Sequence, residues 1–391
     1  MGIKEDALEL HKNLKGKISI KTKTKVTAEN LKLVYTPGVS HPCLEIAKNK
    51  ELTYEYTNKW NNVAVVSDGT RVLGLGNIGP YAAMPVMEGK ALLFKEFGNV
   101  DAFPICINTK DPEEIIKAVK NIEPSFGGIN LEDIEAPKCF YIYRELKKSL
   151  DIPVFHDDQD GTATVVLAGL INALKILNKK FKDIKITILG TGAAGIAIAN
   201  LLLDYRVENI DIFDSQGLVY KGRNNGMNEY KEEIANRVNA TRDKNLNESL
   251  TGCDVLIGVS GKANSITKEE IKIMNENAIV FALTNPDPEI NYKEAKEGGA
   301  RICASGGAGN YPNQVNNMLV FPSIFRGALD AGAKTINKEM IIAAAEEIAK
   351  FVKEEELNEN HILPLATEKG LFKKIAREVK KAAKKSKAAR I

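Results

Sequence analysis

Histidine and tryptophan are scarce in this 391-residue chain, at four and one, and the five cysteines (Cys43, Cys106, Cys139, Cys253 and Cys303) stand far apart without a CxxC pair. That spacing argues against a disulfide framework or a zinc ribbon and predicts reduced thiols packed in the core. No apolar run approaches the roughly 20 residues of a bilayer-spanning helix. The longest uncharged stretch, residues 161–174, is interrupted by Thr162, Thr164 and Asn172. The opening MGIKEDALELHK interleaves acids with lysines and holds no apolar leader core, so a cytoplasmic location is expected and a membrane contact is not. With 44% hydrophobic and 27% charged residues, the composition is that of an ordinary folded protein, which sets disorder and fibres aside.

At this length two domains are expected, each able to bury its own core. The formal charge of +3 is concentrated at one end, where residues 371–391 hold nine Lys or Arg against one Glu. Leu371, Ile375, Val379 and Ala382 recur beneath those lysines at helical spacing. This reads as an amphipathic terminal helix with a solvated face, not as a nucleic-acid contact.

Up to about residue 155 the chain mixes helical patterns, over 4–14, 27–34 and 112–121, with short extended runs over 63–66, 103–107 and 128–131. From Gly161 the texture changes: the helical pattern TATVVLAGLINALKIL leads into KITIL, a glycine turn, a helix and NIDIFD, then DVLIGVS, AIVFALTN and RICASG with helical stretches between. Short apolar runs alternating with helices describe a parallel sheet covered on both faces. The expected fold class is α/β. A mixed α/β substrate domain spans residues 1–155, and a doubly wound, Rossmann-like dinucleotide-binding domain spans 156–391, ending in helices and the basic tail.

Two stretches match G-x-G-x-x-G. Gly190, Gly192 and Gly195, with Ala193 and Ala194 between, follow the strand KITIL and open a helix, and a second strand then ends in Asp214. Those are the mechanical requirements of a pyrophosphate cradle: glycines for the turn and close approach, free N–H groups at a helix start, and an acid for the adenosine ribose. Asp214 favours NAD over NADP, while Lys221 and Arg223 keep NADP open. The other match, Gly74 to Gly79, starts several residues after its strand and reads as a substrate-domain loop that holds a carboxylate through Arg71 and backbone N–H groups.

Acids cluster at NLEDIEAP (Glu132, Asp133) and HDDQDG (Asp157, Asp158, Asp160), on either side of the expected domain junction. Consecutive acids point to opposite sides of a regular strand, so Glu132 and Asp133 share a face only at a strand end or turn. With Asp158 they suit a hard, six-coordinate cation, Mg²⁺ or Mn²⁺. Asp160 reads as a helix N-cap.

The segments LVYTPGVS, SDGTRVLGLG, EGKALLF, NLED, HDDQDGT and LTNP, in this order over nearly the whole chain, resemble the malic enzyme family in its short bacterial form. The resemblance implies oxidative decarboxylation of (S)-malate to pyruvate and CO₂ with reduction of NAD or NADP, in a homo-oligomer, most simply a dimer. It implies Tyr35 as general acid, Lys90 as general base and Asp157 as the acid assisting it. It also implies Glu132, Asp133 and Asp158 as metal ligands, and Arg71, Asn285 and Asn316 (or its neighbour Asn317) as malate contacts, with Asn285 also reaching the cofactor. A lysine base must be neutral near pH 7, well below its ordinary pKa of about 10.4. Burial among Ala91, Leu92, Leu93 and Phe94 and a nearby cation are expected to depress it. His156, the histidine nearest the acids, reads as a strand-end packing residue. A non-decarboxylating dehydrogenase and a nucleotide-binding scaffold without turnover are the competing readings.

Overall fold

The chain's β-rich runs sort into two sheets, and the N-terminal segment joins neither. In the computed structural model, which describes residues 2–238, 240, 244–307 and 311–390, no described residue before Lys59 is buried. This arm carries helices α1 (Ile3–Leu14), α2 (Leu31–Val34), α3 (Ser40–Lys48) and α4 (Thr53–Tyr56). The helix expected over 27–34 is reduced to its last turn. Thr27 and Asn30 exchange hydrogen bonds between side chain and backbone, which offers the backbone an alternative to helix.

The first sheet is built from β1 (Asn62–Ser67), α5 (Gly79–Gly98), β2 (Asp101–Cys106), α6 (Pro112–Ile122), β3 (Gly128–Leu131), α7 (Lys138–Ser149) and β4 (Val154–His156), with strand order β2-β1-β3-β4. All its pairings are parallel. From β4 the turn Asp157–Gly161 passes directly into α8 (Thr162–Ile176), a helix buried along most of its length. Its polar residue Asn172 is tolerated there because its amide donates to Ala349 O and Ile362 O.

The second sheet comprises β5 (Lys185–Leu189), followed by α9 (Ala193–Asp204), then β6 (Asn209–Asp214), β7 (Gly217–Leu218), β8 (Val255–Gly258), β9 (Ile279–Ala282), β10 (Ile302–Ser305) and β11 (Asn313–Gln314). The order is β11-β10-β9-β8-β5-β6-β7, parallel throughout except for the edge strand β7. Growth in both directions from β5 makes it a doubly wound sheet, with a crevice at the strands' C-terminal ends. The basic tail forms the helix Leu371–Lys385, which buries Leu371, Phe372, Ile375, Ala376, Val379 and Ala383. Among the described residues no helix is long and apolar enough to cross a membrane. Cys139, Cys253 and Cys303 are buried free thiols, but Cys106, at the end of the edge strand β2, is half-buried and Cys43, on the uncovered arm, is exposed, two departures from the expected core thiols.

Candidate active site

Glu132 and Asp133 follow β3, where the backbone turns left-handed at Asp133 (φ 53°). Few residue types other than glycine and Asn or Asp adopt that conformation readily. It breaks the strand alternation and lets two consecutive acids serve one site. The Asp133 N–H donates to Asp158 Oδ2 at 3.1 Å, and the Arg71 N–H donates to Asp133 O at 3.0 Å. Each of Glu132, Asp133 and Asp158 offers an oxygen within 4.8 Å of the others. Burial first, then mutual repulsion, pushes the Asp133 carboxyl up to about 9. Burial also raises Glu132 and Asp158. Asp133 Oδ2 is buried without a hydrogen-bond partner. Three crowded carboxylates, Glu132 and Asp133 buried and Asp158 half-buried, with an orphaned oxygen are a donor set that a divalent cation would satisfy.

Lys90, on the inner face of α5, is 8% exposed. Its Nζ lies 2.7 Å from Glu132 Oε1, contacts Asp157 Oδ2, and sits 4.4 Å from the centroid of the Phe321 ring. Burial opposes its charge, but the two carboxylates outweigh burial and raise its pKa above the ordinary lysine value. The expected depression by burial is thus reversed, because the same interior that desolvates the ammonium also supplies its counter-charges. Asn130 holds Glu132 from below through Nδ2 at 3.0 Å. His156, at the end of β4, is fully buried, with its ring packed edge-on against Tyr143, and burial pushes its pKa down to about 4. Asp160 is no helix cap: its carboxylate accepts the Tyr143 hydroxyl, and Gly161, the residue before α8, is already helical, so α8 has no side-chain cap.

The loop after β1 reaches across to the second sheet. A Cβ on Gly74 would lie 2.3 Å from Asn285 O, and one on Gly261 would lie 2.8 Å from Arg71 Nη2. Asn285 itself lies against Gly306 and Gly307. Its loop is fixed by a residue the sequence reading missed, Glu289, which is 1% exposed. Glu289 accepts from the N–H and hydroxyl groups of both Ser260 and Thr284. Asn316 uses its Nδ2 on Gly306 O and its Oδ1 on the Met318 N–H. Its neighbour Asn317 lies beside the turn that carries Asp157, with its Cβ 3.4 Å from where a Gly161 Cβ would stand.

At the other end of the crevice, a Cβ on Gly190 (φ 120°) would meet Val259 O at 2.5 Å, and one on Gly195 would meet Gly190 O at 1.9 Å, whereas nothing lies within 4 Å of a Cβ on Gly192. The first and third glycines are thus forced by packing, and the second leaves the backbone open above the start of α9, at Ala193 and Ala194. Asp214 ends β6 but is not bare. Arg223 grips both its oxygens, Lys231 donates to Oδ2 at 2.6 Å, and the Gln216 N–H donates to Oδ1 at 2.8 Å. Although burial opposes it, these bonds hold the Asp214 carboxyl down at about 2. Lys231 is a second missed residue, brought back by the helix Glu229–Ala235 that Asn228 caps.

Tyr35 is the exception. It ends α2 on the arm and is 69% exposed, in contrast to the buried Lys90.

Residues 13–147 match the family model described as Malic enzyme, N-terminal domain, and residues 159–384 match Malic enzyme, NAD binding domain. The chain is 52% identical over its full length to a bifunctional malic/malolactic enzyme of Bacillus subtilis, covering 95% of that protein. It is 53% identical to an NAD-dependent malic enzyme of Geobacillus stearothermophilus, with 96% of this chain and 78% of the relative aligned. The crystal structure of a malic enzyme from Pyrococcus horikoshii superposes with a TM-score of 0.94 at 49% identity, covering 100% of this chain and 92% of that one.

Proposed function

The chain belongs to the malic enzyme family, and from that premise we propose that it converts (S)-malate to pyruvate and CO₂ while reducing a nicotinamide cofactor. The observation that carries this reading is the contact of Lys90 with Asp157 and Glu132 inside the buried carboxylate cluster, beside Arg71 and the glycine crevice.

Lys90 takes the proton of the C2 hydroxyl as hydride leaves C2 for the cofactor. To do so it must first give up its own proton, and Asp157, in direct contact, is the group that receives it and holds the amine in place. Arg71 binds a malate carboxylate through its guanidinium, and the Asn285 amide orients the substrate from the opposite side of the crevice. Of the adjacent pair, Asn317 is the better malate contact, because the Asn316 amide is spent on backbone. Glu132, Asp133 and Asp158 would hold Mg²⁺ or Mn²⁺, which supplies Lewis-acid stabilisation of the charge left when CO₂ departs. Tyr35 returns a proton to C3.

Gly190 to Gly195 and the start of α9 take the pyrophosphate. NAD is the preferred cofactor, because Asp214 already engages Arg223 and Lys231 and neither cation is free for a 2′-phosphate.

The active unit is a homodimer. Val26, Leu31, Leu33, Val39 and Leu44 are exposed on the arm, and Leu73, Leu75, Tyr81 and Met84 are exposed around the Arg71 loop and the start of α5. Apolar patches of this kind on two parts of one chain are what a two-fold partner covers. Such a partner brings its arm, with Tyr35, to the other copy's Lys90.

The test is malate-dependent NADH formation with Mn²⁺, with pyruvate as product, slower turnover with NADP, and loss of activity with EDTA. Reduced cofactor without pyruvate would leave a plain dehydrogenase.

A further inference from the structure

The Arg71 loop of the first sheet rests on two loops of the second, one after β8 and one after β9. Gly261, in the loop after β8, leaves room for the Arg71 guanidinium, since a Cβ there would lie 2.8 Å from Nη2. Gly74, further along the Arg71 loop, leaves room for Asn285 O in the loop after β9. The seats of both proposed malate contacts therefore depend on how the β8 and β9 loops stand relative to each other.

One carboxylate sets that relation. Glu289 is 1% exposed, and Gly258 at the end of β8 makes way for it, because a Cβ there would lie 2.5 Å from Glu289 Cδ. Glu289 Oε1 accepts the Ser260 N–H at 2.9 Å, the Ser260 hydroxyl at 3.0 Å and the Thr284 hydroxyl. Its Oε2 accepts the Thr284 N–H at 3.2 Å. Thr284 carries the link onward, since its Oγ1 also accepts the Gly261 N–H at 2.9 Å.

This arrangement demands a carboxylate and not merely its shape. Both carboxylate oxygens accept, whereas a glutamine amide would turn its NH₂ toward one of the two backbone N–H groups, and a buried donor that faces a donor is costly. The Thr284 hydroxyl has two tasks of its own, donating to Glu289 and accepting from Gly261. Serine can perform both, and valine, with the same outline as threonine, can perform neither.

We propose that Glu289, acting through Thr284 and Ser260, is a positioning residue for malate: it locks the β8 and β9 loops in one register and so holds the Arg71 and Asn285 seats at a fixed separation. The role rests on the malate reading given above. Arg71 and Asn285 touch the substrate, and Glu289 acts only through them.

The experiment measures malate oxidation with NAD and Mn²⁺ in Thr284→Val, Thr284→Ser, Ser260→Ala and Glu289→Gln, and titrates Mn²⁺ into each by calorimetry. Thr284→Val and Glu289→Gln are each expected to raise the KM for malate about ten-fold or more, the effect of a buried donor left without its acceptor. Thr284→Ser should stay within about three-fold of the parent. Mn²⁺ affinity should be parental throughout, because the carboxylate cluster belongs to the first sheet. Should Glu289→Gln fail to fold, the link is read from Ser260→Ala combined with Thr284→Val. Their hydroxyls share Oε1, so the KM of the double variant should depart from the product of the single effects by about three-fold or more. The proposal is overturned if Thr284→Val or a folded Glu289→Gln keeps the parental KM, if Thr284→Ser behaves like Thr284→Val, if the Ser260 and Thr284 effects simply multiply, or if Mn²⁺ affinity falls in step with malate. A parent that binds NADH but leaves malate unoxidised would overturn the functional reading itself, and this role with it.

Discussion

Lys90 and Tyr35, the two groups proposed to move protons, live in opposite surroundings. Lys90 is held on three sides by Asp157, Glu132 and the Phe321 ring. Tyr35 stands in solvent on an arm that buries nothing. One chain can therefore fold the base by itself, because α5, β3, the turn after β4 and the helix Phe321–Asp330 all converge there. It cannot seat the acid, because a short segment with scattered leucines and valines has no core of its own to close on. Burial of such side chains is worth roughly 25 cal/mol per Å², and the arm gains it only from another surface.

The sharpest way to break the comparison is to remove the base. Lys90→Ala is expected to lower malate oxidation by about 10³-fold or more while cofactor binding, read by NADH fluorescence, persists. A variant within ten-fold of the parent would place the base elsewhere.

Tyr35→Phe is expected to cost about 10²- to 10⁴-fold in turnover. Its melting temperature should not change, because the residue is largely exposed and among the described residues the hydroxyl has no hydrogen-bond partner. Combining the two inactive variants separates the possible arrangements. If each arm serves its partner, a mixed population regains about a quarter of the parental sites, since half the dimers are mixed and each carries one intact pair. If Tyr35 serves its own chain, the mixture stays inactive.

Charging the arm tests the same idea more gently. Leu33→Asp with Leu44→Asp should leave the two sheets folded but make specific activity fall on dilution, in step with dimer dissociation seen by sedimentation. Activity independent of concentration would mean that the arm needs no partner.

The smallest effect lies in the second sheet, which should not depend on the arm at all. The Asp214 carboxyl is held at about 2, below its ordinary 3.8, so its bonds to Arg223 and Lys231 contribute fully above pH 4. That contribution fades as the pH falls toward 2. The melting temperatures of the parent and Asp214→Asn should therefore differ near neutrality and converge in acid. A gap that widened in acid would contradict the assignment.

Much of this architecture was legible in the amino-acid order. The alternation of apolar runs and helices announced the parallel sheets, and the glycine spacing after KITIL located the open backbone at Gly192. Two acids at a strand end with a third beyond the next strand marked the carboxylate cluster, since strand alternation allows few other ways to use consecutive acids. What could not be read is what depends on partners distant in sequence. Lys231 lies 17 residues beyond the acid it neutralises. Glu289 works by holding two loops rather than by any motif, and the proposed preference for Asn317 over Asn316 rests on the backbone hydrogen bonds that the Asn316 amide makes. The electrostatics of Lys90 rest on the same kind of distant partner: its sequence neighbours are apolar, but its spatial neighbours are the carboxylates of Glu132 and Asp157. The arm's helical pattern over 27–34 failed where Thr27 and Asn30 found each other first.

The left-handed residue Asp133, just past the end of β3, resets by one position the side on which its carboxylate falls. A single-residue insertion between Leu131 and Ile134 would undo that reset and swing one of the two acids away from the cluster, although both acids would still be encoded. Length at this point is therefore as strictly constrained as identity, and gaps tolerated elsewhere on the surface would be lethal here.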